Sequence, residues 1–143
     1  MAPGMTEPLY TTEILRLAAS LNDPHPLDRE DGRAELRSPT CGSRIDLAVQ
    51  LDDDRRVERL SMRVHACAFG QASAALVERH SRGCTHDDVS RAMLTLSRWL
   101  AGEQDESGWP GVAALAPARP RSARHGAILL PFRALLAAIE SSQ

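Results

Sequence analysis

The chain has 143 residues and a net charge of −2, a size that suits one domain with one core. That balance argues against a nucleic-acid or membrane-surface binder, and no apolar run approaches the ~20 residues needed to cross a bilayer. All 17 basic residues are Arg, which excludes a lysine nucleophile or Schiff base, and aromatics are few, so the core must come mainly from Leu, Val, Ile, Met and Ala.

Residues 1–8, with Pro3, Gly4 and Pro8, read as a loose tail ahead of a single domain spanning 9–143. No basic segment is followed there by a hydrophobic one, so a signal peptide is not expected and the cytoplasm is the expected compartment. From Tyr10 to Leu21 the apolar residues Ile14, Leu15, Leu17, Ala18 and Leu21 fall at helical spacing, with Thr11 or Thr12 as cap and Glu13 in the first turn. The two prolines of "NDPHPLDREDG" end that helix.

Three strands follow. "RAELRS" (33–38) alternates weakly. "RIDLAVQL" (44–51) alternates clearly, and "VERLSMRVHA" (57–66) repeats the pattern, with Leu60, Met62, Val64 and Ala66 on one face. Period two with one polar face predicts an antiparallel sheet that is wet on one side. "DDDRR" is the hairpin loop between the last two strands.

After Cys67 the period changes. "AFGQASAALVERHSRG" reads as a helix ended by Gly83. Thr85 caps the next helix with Asp88 three residues on, and Val89, Ala92, Met93, Leu96, Trp99 and Leu100 form its apolar stripe. "GVAALAPARPRSAR" holds at most one short turn. The last helix presents Ile128, Phe132, Leu135, Leu136 and Ile139, with Pro131 expected in its first turn. Strands before helices predict an α+β fold: a small three-stranded antiparallel sheet with helices packed on one face.

The chemistry lies at element ends. Cys67 falls where a strand hands over to a helix. Helix N-termini carry partial positive charge and free N–H groups, and thiols in such settings ionise readily to the nucleophilic, metal-binding thiolate. Small neighbours at 66, 68, 70 and 72 leave room for something bulky. Cys41 precedes a strand, beside Gly42, which permits a sharp turn. His125 sits just before the final helix. Each cysteine alone is about as often a small buried hydrophobe as a functional group. His25, His65, His80 and His86 read as surface or satisfied core residues, and Cys84 as a loop residue. The three cysteines include no CxxC pair, so any metal site must be assembled by the fold from distant segments.

The words "SPTCGSRIDLAVQLD", "VERLSMRVHACAFGQASAALV" and "ARHGAILLPFRALLAAI" resemble, in order, the first cysteine loop, the second cysteine segment and the third cysteine segment of the NifU/IscU/SufU family. Residues 99–124 resemble the extra segment of its SufU-like branch, and the likeness spans about residues 9–140. The resemblance implies an iron–sulfur cluster assembly scaffold or carrier with a short sheet backed by helices. It implies a cysteine desulfurase as sulfur donor and iron–sulfur proteins as recipients.

Two departures stand out. Ser43 occupies the position of the family's aspartate, and the third cysteine falls on Gly126 or, with a one-residue shift, on Ala127. The ligand set implied is therefore Cys41, Cys67 and His125; Arg44 reads either as a nearby positive charge or, at least as readily, as a surface residue. Three donors can hold zinc or ferrous iron with one open position. A cluster needs a further ligand from a second subunit in a homo-oligomer, a small thiol, or Cys84. The protein is expected not to be an enzyme. Two alternatives remain: a sulfurtransferase-type protein in which Cys41 or Cys67 accepts persulfide sulfur, and a degenerate member acting by protein binding alone.

Overall fold

The computed structural model describes residues 10–39 and 42–142. Helix α1 spans Thr12–Ala19, and Thr11 caps it by accepting from the Ile14 N–H at 3.1 Å. Strands β1 (Gly32–Arg37), β2 (Arg44–Leu51) and β3 (Val57–His65) form one antiparallel sheet in that order. Helices α2 (Ala68–His80), α3 (His86–Leu100) and α4 (His125–Ser141) follow. Two 3-10 segments, Val112–Ala118 and Ser122–Arg124, fill the stretch that reads as irregular in sequence.

The register explains the core. Val49 pairs with Leu60, Leu47 with Met62 and Ile45 with Val64, so the alternating apolar side chains share one face. Ile45, Leu47, Val49, Leu60 and Met62 are buried there, beneath α2 and α4. Helix α1 packs on α2, with the Tyr10 and Phe69 rings 5.1 Å apart. Helix α3 packs on α4 and carries the capping box expected from Thr85 and Asp88. Trp109 turns edge-on to Phe132 at 5.2 Å, and its Nε1–H donates to the Leu76 carbonyl at 2.9 Å.

Two expectations need correcting. The polar sheet face is not simply wet, because the segment between α1 and β1 runs across it. The His25 N–H donates to Ser61 Oγ at 2.9 Å, and the Asp28 and Arg29 N–H groups donate to Gln50 Oε1 at 3.1 and 3.3 Å. Ser61 and Gln50 are buried as a result, and a cavity of about 460 Å³ remains between this strap and the sheet, with Arg33, Asp46 and Arg63 in its wall.

Pro131 is not in the first turn of α4 but well inside it. The helix begins at His125 and runs through the proline because nearly its whole circumference is buried. Packing outweighs the lost N–H, which leaves the Ala127 carbonyl without its donor four residues on.

Candidate metal and sulfur site

One end of the sheet gathers the pieces of interest. Arg37 pairs with Arg44, and Arg44 with His65, so these residues form the last row across all three strands. The Ser38 N–H donates to the Ser43 carbonyl at 2.8 Å and closes the base of the β1–β2 hairpin. Cys41 belongs to that hairpin and lies outside the described residues. Gly42 beside it has φ 72, a left-handed conformation that glycine adopts without strain. Ser43, at the position of the family aspartate, is buried.

Cys67 lies two residues beyond the end of β3. It is the N-cap of α2, with an extended backbone (φ −66, ψ 172) and no side-chain capping bond. Its half-buried thiol therefore sits at the positive end of a helix, as its sequence position implies. Gln71 Nε2 donates to the Ala66 carbonyl at 3.1 Å and ties down the turn that presents it.

The first turns of α2 and α4 press together. A Cβ on Gly70 would lie 2.6 Å from Ala66 Cβ, which the turn into α2 could not accommodate without shifting, and 3.4 Å from Ala127 Cβ, an ordinary contact distance that places the first turn of α4 against that of α2. One turn further along, Ser73 Oγ donates to the Ile128 carbonyl at 2.6 Å in a fully buried contact. These contacts bring the start of α4, and with it His125, to the end of the fold that holds Cys67. They also turn Ala127, of the two candidate positions for a third cysteine, toward the first turn of α2.

His125 is the first residue of α4 rather than the residue before it. Its Nε2 lies 2.9 Å from the Ala118 carbonyl and 3.0 Å from the Arg119 carbonyl. Carbonyl oxygens only accept, so Nε2 carries the proton. In the neutral ring Nδ1 then holds the lone pair. A backbone carbonyl on one ring nitrogen is the usual way to orient a metal-binding histidine.

Arg37 and Arg44 are both exposed, and neither forms an ion pair among the described residues. Farther along this sheet face Arg33 meets Asp46 at 2.9 Å and Glu30 at 2.8 Å, and Arg59 meets Asp28 at 3.7 Å, whereas the exposed Arg63 forms no ion pair among the described residues. The unpaired cations Arg37 and Arg44 thus lie at the end of the sheet that leads into the start of α2, a setting that favours an anionic cargo. His65 lies at this end on the outer face and lines a cavity of about 230 Å³ with Arg44, Asp46 and Arg63.

Cys84 is removed from this site. Its carbonyl accepts from the Val57 N–H at 2.9 Å, at the opposite end of β3 from His65. At ~3.3 Å per residue the strand separates those ends by roughly 26 Å. Burial, reinforced by Asp88, pushes the Cys84 thiol up, and its Sγ lies 3.8 Å from the His80 carbonyl. It cannot supply a fourth ligand to a site at Cys67. His86, 3.3 Å from Glu140, contacts α4 near its C-terminal end, away from Cys67.

Among the described residues no group of three or more His, Cys, Asp or Glu side chains is arranged to hold a metal ion. Cys67 and His125 are within that set, and Cys41 is outside it. A thiol and an imidazole are ligand types that zinc and ferrous iron accept. Sequence reading passed over Ser73 and the two carbonyls that hold His125, and it took Gly70 as room for something bulky, whereas Ala66 and Ala127 occupy the space beside it. A glycine inside a helical pattern does flag a close approach, but nothing in the sequence marks the carbonyls.

No protein-family model and no curated protein matches the sequence. Solved structures do. The crystal structure of a nitrogen-fixing NifU-like protein (N-terminal) from Brucella abortus superposes with a TM-score of 0.83 at 29% identity, covering 93% of each chain. A protein from the thermophilic Fervidobacterium islandicum AW-1, assigned as an iron–sulfur cluster assembly scaffold for the SUF system, gives a TM-score of 0.81 at 19% identity, covering 96% of this chain and 99% of that one. The second likeness is one of fold. The α+β class, the three-stranded sheet and the order of helices agree with the first. The chain thus has the fold of NifU-like and SufU-like scaffold domains.

Proposed function

We infer that the protein is an iron–sulfur cluster assembly scaffold or carrier, with Cys41, Cys67 and His125 as the donors that hold iron, zinc or a cluster. The observation that carries this reading is the contact of Gly70 with Ala127, which joins the Cys67 end of α2 to the His125 end of α4. The β1–β2 hairpin that contains Cys41 leaves the sheet beside the strand that leads to Cys67. The NifU-like and SUF scaffold likenesses support the same role. On this reading a cysteine desulfurase supplies sulfur and other iron–sulfur proteins receive the product.

Anaerobic reconstitution with ferrous iron and sulfide tests it. The expected product absorbs in the visible range, loses that absorbance in Cys67→Ser, and weakens in His125→Ala. A colourless wild-type product containing neither iron nor sulfide rejects a cluster at this site.

The loss of the third thiol favours one second reading. Neither Gly126 nor Ala127 can bind iron, so the remaining cysteines also suit sulfur acceptance. The Cys67 thiolate would attack the outer sulfur of a desulfurase persulfide, forming a new S–S bond as the desulfurase cysteine leaves as thiolate. Mass spectrometry after mixing with a cysteine desulfurase and free cysteine reads this as one added sulfur on Cys67 or Cys41.

A further inference from the structure

One side chain between α3 and α4 is held at three points. The Arg119 guanidinium lies over the Trp99 ring, 4.8 Å from its centroid. Its Nε donates to the Trp99 carbonyl at 2.8 Å, and an Nη donates to the Gln104 carbonyl at 3.2 Å. Trp99 is buried in the last turn of α3, so the guanidinium is anchored to a rigid element. A planar fork can stack on a ring and donate to two acceptors at once, which an ammonium cannot do.

The backbone of this same residue holds His125. The Arg119 and Ala118 carbonyls are the two acceptors of the ring Nε2–H. The turn that follows is hydrogen-bonded throughout: the Arg121 N–H donates to Ala118 O at 2.9 Å, and the Arg124 N–H donates to Arg121 O at 2.9 Å. The end of α3 therefore fixes Arg119, Arg119 fixes two carbonyls, and the carbonyls fix the imidazole. Among the described residues Arg119 has no carboxylate partner, so its contacts all serve this attachment.

We propose that Arg119 is a positioning residue for His125, which holds the ring with Nε2 protonated and leaves Nδ1 as the coordinating atom. The consequence for metal binding rests on the reading of His125 as a ligand. The ring orientation does not.

The test uses the full chain, metal-free, with 15N-labelled histidine at about pH 8, above the ordinary histidine range. In the wild type the His125 Nε2–H is visible by NMR and exchanges slowly with water, and Nδ1 shows the shift of an unprotonated nitrogen. Arg119→Ala abolishes the slow Nε2–H signal. Arg119→Lys, the safer variant for folding, weakens it strongly, and Trp99→Phe, which keeps a stacking ring and the carbonyl, preserves it. Zinc affinity, read by competition with a chelator, falls about 10-fold in both Arg119 variants. A slow Nε2–H retained in both Arg119 variants, with the backbone amide spectrum unchanged, overturns the proposal. If the signal is lost while zinc affinity stays at the wild-type value and is equally insensitive to His125→Ala, the positioning role stands and the ligand reading of His125 falls.

Discussion

Restoring a third thiol is the sharpest perturbation the fold suggests. Ala127 is 1% exposed, and its Cβ faces the first turn of α2 at Gly70, which has no side chain. Ala127→Cys adds one sulfur there. Overpacking of a buried position costs about 1–3 kcal/mol, and the bare backbone of Gly70 puts this case at the low end, about 1 kcal/mol. That strain is present with and without metal, so it lowers the denaturation midpoint but cancels from the binding constant. Zinc binding to four-ligand structural sites is worth about 10–16 kcal/mol, or roughly 3 kcal/mol per ligand, so a further thiolate tightens zinc about 100-fold. Chelator competition on the wild type, Ala127→Cys and Gly126→Cys reads the difference. Gly126→Cys is expected to match the wild type, since the α2 contact runs through Ala127. Equal affinity for all three proteins, or a gain confined to Gly126→Cys, would refute the placement of Ala127 against the Cys67 end of α2.

The remaining predictions concern what keeps this end of the molecule in place. Trp109→Phe removes the hydrogen bond to the Leu76 carbonyl and lowers stability by about 1 kcal/mol, whereas Trp109→Ala also empties the space against Phe132 and costs about 3–5 kcal/mol by urea denaturation. Thr85→Ala breaks the capping box of α3 and costs about 1 kcal/mol; adding Asp88→Ala costs less than the sum of the two single changes, because both side chains belong to one motif. The hydrogen bond from the Leu51 N–H, helped by the Arg29 guanidinium, holds the Asp31 carboxyl below the usual carboxylate range. A depressed folded-state value means that its stabilisation is complete above the unfolded value of about 3.9 and is lost as pH falls from there toward the folded one. Thermal melts of Asp31→Asn across that acid range should therefore fall less steeply with pH than those of the wild type.

The parts of the fold that follow from local chemistry were legible in the sequence. The alternation of "RIDLAVQL" marks β2 as Arg44–Leu51, and Thr85 with Asp88 marks the start of α3, because a side-chain period and a cap are properties of neighbouring residues. What the sequence hid depends on distant partners. Pro131 looks like a helix start until the burial of α4 on nearly every side overrides the lost N–H. The polar residues Gln50 and Ser61 look solvated until the strap at His25, Asp28 and Arg29 uses them as acceptors. At the candidate site the sequence located the Cys67 cap. It could not show that Cys84 lies at the far end of β3, nor which ring nitrogen of His125 is protonated, since both follow from contacts made by remote backbone.

X-ray absorption at the metal edge tests the central assignment most directly. Zinc-loaded protein is predicted to show two sulfur scatterers near ~2.3 Å and one imidazole nitrogen near ~2.0–2.1 Å, with one sulfur lost in Cys67→Ser and the imidazole lost in His125→Ala. A shell of oxygen and nitrogen alone, unchanged by either substitution, would contradict a shared site at Cys41, Cys67 and His125.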